Sequence, residues 1–95
     1  MRAVEVKRRA QSDLEAIARG FPLTREDYAA ARRLIAEIIT YCGRLAANPA
    51  IIGSLEPRLA RATRRLEYKG YKIYVRYSRN RLTVLRIVHA RRNFP

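Results

Sequence analysis

"RATRRLEYKGYKIYVRYSRNRLTVLRIVH", residues 61–89, is the stretch whose reading decides the fold. It divides at two short polar breaks, Lys69-Gly70 and Arg79-Asn80. Each break is a two-residue connection with Gly or Asn available where a hairpin turn asks for positive φ. The stretch therefore reads as three strands, 61–68, 71–78 and 81–89. In the second, Tyr71, Ile73, Val75 and Tyr77 share one face, opposite Lys72, Tyr74 and Arg76. In the third, only Arg86 interrupts an apolar character on both faces, which predicts a central strand covered on both sides.

Working outward, "RAVEVKR" (2–8) alternates Val4 and Val6 with Glu5 and Lys7, the pattern of a short strand. "SDLEAIARGF" (12–21) opens with a capping box, Ser12 at the N-cap and Glu15 three residues on. Leu14, Ile17, Ala18 and Phe21 recur at helical spacing, and Gly20 with Pro22 ends that helix. Thr24 is the expected cap of a second helix, whose first turn places Glu26 and Asp27 where the helix dipole favours anions. From Arg25 to about Ala47, an apolar stripe runs through Ala31, Ile35, Ile38, Cys42 and Leu45. Leu34, Ile39 and Tyr41 widen it. The short "GFPLT" connection implies an antiparallel helical hairpin. "NPAIIGSLEP" (48–57) is a loop that Ile51, Ile52 and Leu55 are expected to tuck onto the body. The order is β-α-α-β-β-β. The fold class is α+β, an N-terminal strand and helical hairpin packed on a small antiparallel sheet, with residues 1–95 as one domain.

Charge is distributed unevenly. Of the 21 Lys+Arg and 8 Asp+Glu, residues 58–95 hold 12 bases and a single acid, Glu67. That imbalance in 38 residues is self-repelling unless something acidic binds. Nucleic acid and an acidic protein segment both qualify as partners. The lone Cys42 makes no internal disulfide, suits a reducing compartment and reads as a buried structural thiol. No apolar leader or bilayer-length run occurs, so a soluble cytoplasmic protein with no membrane partner is expected.

One His, one Cys and scattered acids offer no metal-ligand cluster, no Gly-rich phosphate loop is present, and no cofactor is expected. The catalytic reading left is metal-free RNA cleavage. It needs a base, cations for the phosphorane charge, and an acid. Arg64, Arg65, Arg76, Arg86, Arg91 and Arg92 are candidate cations, and His89 is the side chain that titrates near neutrality. A basic strand surface with one His is a weak catalytic signal, and the same residues read more readily as a docking surface. Tyr74, flanked on its strand by Lys72 and Arg76, is a candidate stacking platform, with core packing as its alternative. Arg86 is also a candidate for an internal ion pair with Glu67.

The pieces "AQSDLEAI", "NPAIIG", "RRLEYKGYKIYVRY" and "LRIVHARRN", in this order and at this length, resemble the RelE/ParE toxin superfamily of type II toxin–antitoxin systems. The resemblance covers nearly the whole chain. It implies a helical hairpin against a small sheet, and a cognate antitoxin whose acidic C-terminal segment wraps the toxin. RelE-like members cut mRNA on the ribosome; ParE-like members poison DNA gyrase. The "DLEAI" helix start, the "NPAIIG" loop and the "LRIVHARRN" ending resemble the ParE branch. Where a RelE-like end carries tyrosine, this chain has Phe94, which transfers no proton. The resemblance thus implies a gyrase-inhibiting toxin with no catalytic residues. Arg64, Arg65, Tyr74, Arg76, Arg86, His89, Arg91 and Arg92 are then target or antitoxin contacts. Tyr28, Ile39 and Tyr41 on the second helix are further antitoxin-groove candidates, with core packing as the alternative that each residue favours. The alternative is a ribosome-dependent endoribonuclease using Arg64, Arg76, Arg86 and His89.

Overall fold

The computed structural model describes residues 1–20 and 25–92. The expected Thr24 cap, the turn of the helical hairpin and Phe94 lie outside those residues. In chain order the elements are β1 (Ala3–Val6), α1 (Arg8–Arg19), α2 (Arg25–Ala47), β2 (Ser54–Leu55), β3 (Arg64–Tyr68), β4 (Tyr71–Tyr77) and β5 (Arg81–His89). The strands form one sheet in the order β1-β5-β4-β3-β2. The meander is antiparallel, whereas β1 pairs parallel to β5, so the sheet is mixed and β5 is an interior strand. This placement gives β5 a neighbour on each side, the condition its two apolar faces signalled.

The Lys69-Gly70 turn adopts left-handed backbone at both residues, φ 53° and 82°, matching the twist of the strands it joins. At Arg79-Asn80 neither residue is left-handed; the hairpin is closed by Ser78 N–H donating to Arg81 O at 2.8 Å. Strand β3 begins three residues later than expected. Residues 56–63 instead form a closed loop, with Glu56 N–H donating to Thr63 O at 2.8 Å and Thr63 N–H to Ala60 O at 3.1 Å. Ala62, at φ 63°, breaks the extended path. The two-residue β2 was not foreseen.

Helix α1 starts at Arg8, four residues before the expected cap, so Ser12 lies inside the helix and the capping box does not form. The cause is tertiary. Lys7 N–H donates to Val84 O at 3.0 Å, which holds the end of β1 on β5 and turns the chain into the helix there. Its N-cap residue, Lys7, is extended and makes no side-chain capping bond.

One core lies between the helices and the sheet. Ala10 and Ile17 of α1 and Ile38, Cys42, Leu45 and Ala46 of α2 pack on Leu66, Ile73, Val75, Leu82, Val84 and Ile87. Opposite Tyr74 and Val75, β5 carries one extra residue, Leu85, because Tyr74 pairs with Arg86 but Val75 pairs with Val84. This bulge switches the face of β5. It lets Val84 and Ile87, an odd number of residues apart, both point into the core. Two apolar expectations fail. Ile39 is 49% exposed, and in the loop only Ile52 packs on the core, Ile51 and Leu55 being exposed. Ile39 lies one position beyond Ile38 on α2, which rotates it off the buried stripe.

Candidate binding surface

The two sheet faces sort the predicted site residues, because antiparallel register partners share a face. Arg64 pairs with Val75 and His89 with Tyr71, which puts both on the helix side. Arg65 pairs with Tyr74, and Tyr74 with Arg86, which puts these with Arg76 on the opposite side. The nuclease set Arg64, Arg76, Arg86 and His89 is therefore divided between the faces.

Each side chain has a specific setting. Arg64 Nη1 donates to Gly53 O at 2.6 Å, holding the 48–57 loop against β3. Gly53 itself is at φ 113°, and a Cβ there would lie 3.1 Å from Leu66 Cγ. Tyr77 O–H donates to Ile52 O at 2.9 Å and fixes the same loop from β4. His89 is exposed. Its Nδ1 accepts Arg91 N–H at 3.1 Å, and its ring meets Tyr71 edge-on with centroids 5.3 Å apart. It borders a depression of about 220 Å³ shared with Asp13, Ile17 and Arg92, away from Arg76. Arg91 and Arg92 are exposed beside it. Tyr41 stacks on Tyr68 with ring centroids 4.3 Å apart, a packing role rather than an open groove, whereas Tyr28 stays exposed.

The stacking role for Tyr74 is overturned. The residue is 0% exposed, buried in the face covered by the 56–63 loop, and burial raises its phenol pKa. The polar strand neighbours that suggested an open platform are compatible with a covered one, because the covering loop precedes β3 and leaves no mark on β4's own alternation.

Arg86 pairs with Asp13 of α1, not with Glu67. Its Nε and Nη2 donate to the two carboxylate oxygens at 2.8 and 3.1 Å, with the side chains 18% and 14% exposed. These hydrogen bonds raise the guanidinium pKa further. The same carboxylate accepts Ile87 N–H at 2.8 Å. Strand β1 ends at Val6, opposite Val84, and beyond that point Asp13 takes over the edge of β5.

Beside this pair lies a cleft of about 530 Å³, lined by Lys7, Arg8 and Arg9 at the start of α1, Leu59, Ala60 and Thr63 of the loop, and Tyr74, Arg76, Leu85 and Arg86 of the sheet. Of the predicted site residues, Arg76, Arg86 and the buried Tyr74 line it. Arg65 stands outside it, 3.9 Å from the Glu56 carboxylate. Glu56 is buried and also bonded by Arg58 Nε at 3.0 Å, which lowers its carboxyl pKa. Sequence reasoning missed the "KRR" at 7–9, because the basic excess lies in residues 58–95. The clue was three cations in a row directly after a strand.

Cys42 is buried and its thiol is pushed up to about 11 by desolvation, so it is a core residue and a poor nucleophile. Among the described residues no three His, Cys, Asp or Glu gather as a metal ion would require, and no helix is long and apolar enough to cross a membrane.

Comparison with curated proteins gives no match. A chain of the solved structure described as the chromosomal ParDE TA system from P. aeruginosa is similar in fold, with a TM-score of 0.73 and 21% identity over 94% of this chain and 96% of that one. The family model for the ParE toxin of the type II toxin–antitoxin system parDE matches residues 4–94. The chain belongs to the ParE toxin family of type II toxin–antitoxin systems.

Proposed function

We propose that this chain is a cytoplasmic single-domain toxin that arrests growth by binding DNA gyrase rather than by catalysis, and that a cognate antitoxin neutralises it by laying an acidic segment on its basic face. The family membership supplies the toxin–antitoxin setting and the antitoxin as partner class. The observation that carries the non-catalytic part is the division of the cleavage set. A phosphorane needs its cations and its proton-transfer group around one point. Here Arg64 is tied to Gly53 O on the helix side, His89 borders a different depression, and Arg86 is neutralised by Asp13. Arg65, Arg76, Arg91 and Arg92, with Lys7, Arg8 and Arg9, are the residues proposed to contact target or antitoxin.

Induced expression in bacteria tests this reading. Gyrase inhibition predicts an SOS response and loss of plasmid supercoiling, relieved by co-expressing the protein encoded beside the gene. Rapid translation arrest with mRNA cut at the ribosomal A site would contradict it.

A further inference from the structure

The cleft at the start of α1 combines three donor sets. The first-turn N–H groups of Arg8, Arg9 and Ala10 have no intrahelical partner, and no capping side chain or acidic first-turn residue serves them. Thr63 is 1% exposed, lines the cleft, and its Oγ1 has no hydrogen-bond partner. The Nε of Arg76, which also lines it, is likewise buried and unpartnered. Buried polar atoms are nearly always paired, so two unpaired atoms on one wall point to a partner from outside the chain. A helix N-terminus, a guanidinium and a hydroxyl together recognise an oxyanion.

The surrounding walls select which oxyanion. Leu59, Ala60 and Leu85 present aliphatic surface, and the aromatic ring in this wall, Tyr74, is buried. A single-stranded nucleic acid gains much of its affinity from bases stacked on an accessible aromatic face beside the phosphate site, and this cleft offers none. An acidic side chain flanked by aliphatic ones needs what this cleft has. Charge agrees, since among the described residues no carboxylate pairs with Arg8, Arg9 or Arg76, while Asp13 is engaged by Arg86.

We propose that this cleft is a carboxylate-recognition site for an acidic peptide, taking one Asp or Glu side chain on the first-turn N–H groups of α1, Arg76 and Thr63 Oγ1, with the peptide's neighbouring aliphatic side chains against Leu59 and Leu85. Naming the antitoxin as the natural source of that peptide rests on the function proposed above; the carboxylate chemistry does not.

The test is an NMR titration of the isotope-labelled chain with the capped peptide acetyl-Ala-Leu-Glu-Leu-Ala-amide, its Gln counterpart, and a single-stranded oligothymidylate. The Glu peptide should give saturable shifts centred on the amides of Arg8, Arg9, Ala10 and Thr63. The Gln peptide should bind at least about tenfold more weakly, the loss expected when a charge-assisted bond is replaced. Thr63→Val and Arg76→Gln should each weaken the Glu peptide about fivefold or more, with Thr63→Val keeping an unchanged or higher Tm because it removes an unpaired hydroxyl. Equal affinity for the two peptides, no saturable shift, undiminished binding by Thr63→Val, or movement of the same amides by the oligonucleotide but not the peptide overturns the proposal. Co-purification with the neighbouring gene product separates the two readings. A complex left equally tight by both variants sinks the cleft assignment and leaves the antitoxin. Peptide binding at the cleft without any such complex does the reverse.

Discussion

The two faces of the sheet differ both in how much they bury and in how they account for their polar groups: the helix side carries most of the apolar core, the loop side a smaller buried patch around Thr63, Tyr74 and Val88. On the helix side the long polar side chains at the core's edge close on the protein itself: Arg64 on Gly53 O, Tyr77 on Ile52 O. On the loop side, Asp13 satisfies Arg86 and Ile87 N–H, yet Thr63 Oγ1 and Arg76 Nε a short way along are left without a partner. An unmade buried hydrogen bond costs about 1–3 kcal/mol. The difference teaches that the first face is arranged for stability and the second keeps donors in reserve for something that binds.

The largest break in that comparison comes from the first face. Ile73→Ala, at a fully buried site, should cost about 4 kcal/mol, seen as a fall in the midpoint of urea unfolding. Asp13→Ala should cost about 3 kcal/mol, because it leaves a mostly buried guanidinium and a strand N–H unpaired at once. If Asp13→Ala is silent in the same measurement, the pair is a surface contact and the closure of the β5 edge is misassigned. Gly53→Ala should cost about 1–2 kcal/mol, since φ 113° and the 3.1 Å approach to Leu66 both resist a methyl group.

These positions also separate what the sequence disclosed from what it hid. The meander was legible because alternation and the Lys69-Gly70 turn are local signals. The α2 stripe was legible for the same reason, and Ala31, Ile38, Cys42 and Leu45 are indeed buried. The start of α1 was hidden, because a backbone bond to Val84, far along the chain, outweighed the Ser12 capping box. The site was half legible. The basic surplus pointed to β3–β5, but strand pairing decides faces, and it sent Arg64 and His89 away from Arg76. Asp13 as the partner of Arg86 carries no signal in its own neighbourhood, and the three cations at 7–9 carry a local one that the larger basic surplus of residues 58–95 overshadowed. Tyr74 shows the converse, since its polar strand neighbours did not reveal a loop that closes over it.

The smallest effect sharpens the comparison through pH. Hydrogen bonds from Arg58 lower the Glu56 carboxyl below its ordinary value of 4.5. The unfolded chain therefore binds the proton more readily than the folded one. The contribution is fully present above about pH 4.5 and is lost as the pH falls through the lower folded value. Arg58→Ala should lower the neutral plateau slightly and leave the acid end nearly unchanged, so that the acid limb of a Tm-versus-pH series flattens. An unaltered acid limb would show that Glu56 does not hold the 56–63 loop through Arg58.

Whether a basic, non-catalytic surface carries the toxicity is decided by ATP-dependent DNA supercoiling by purified gyrase in the presence of the purified chain. Inhibition is expected from the parent and equally from His89→Ala, with reversal when the antitoxin is added. Undisturbed supercoiling, together with cleavage of ribosome-bound mRNA that His89→Ala abolishes, would contradict it.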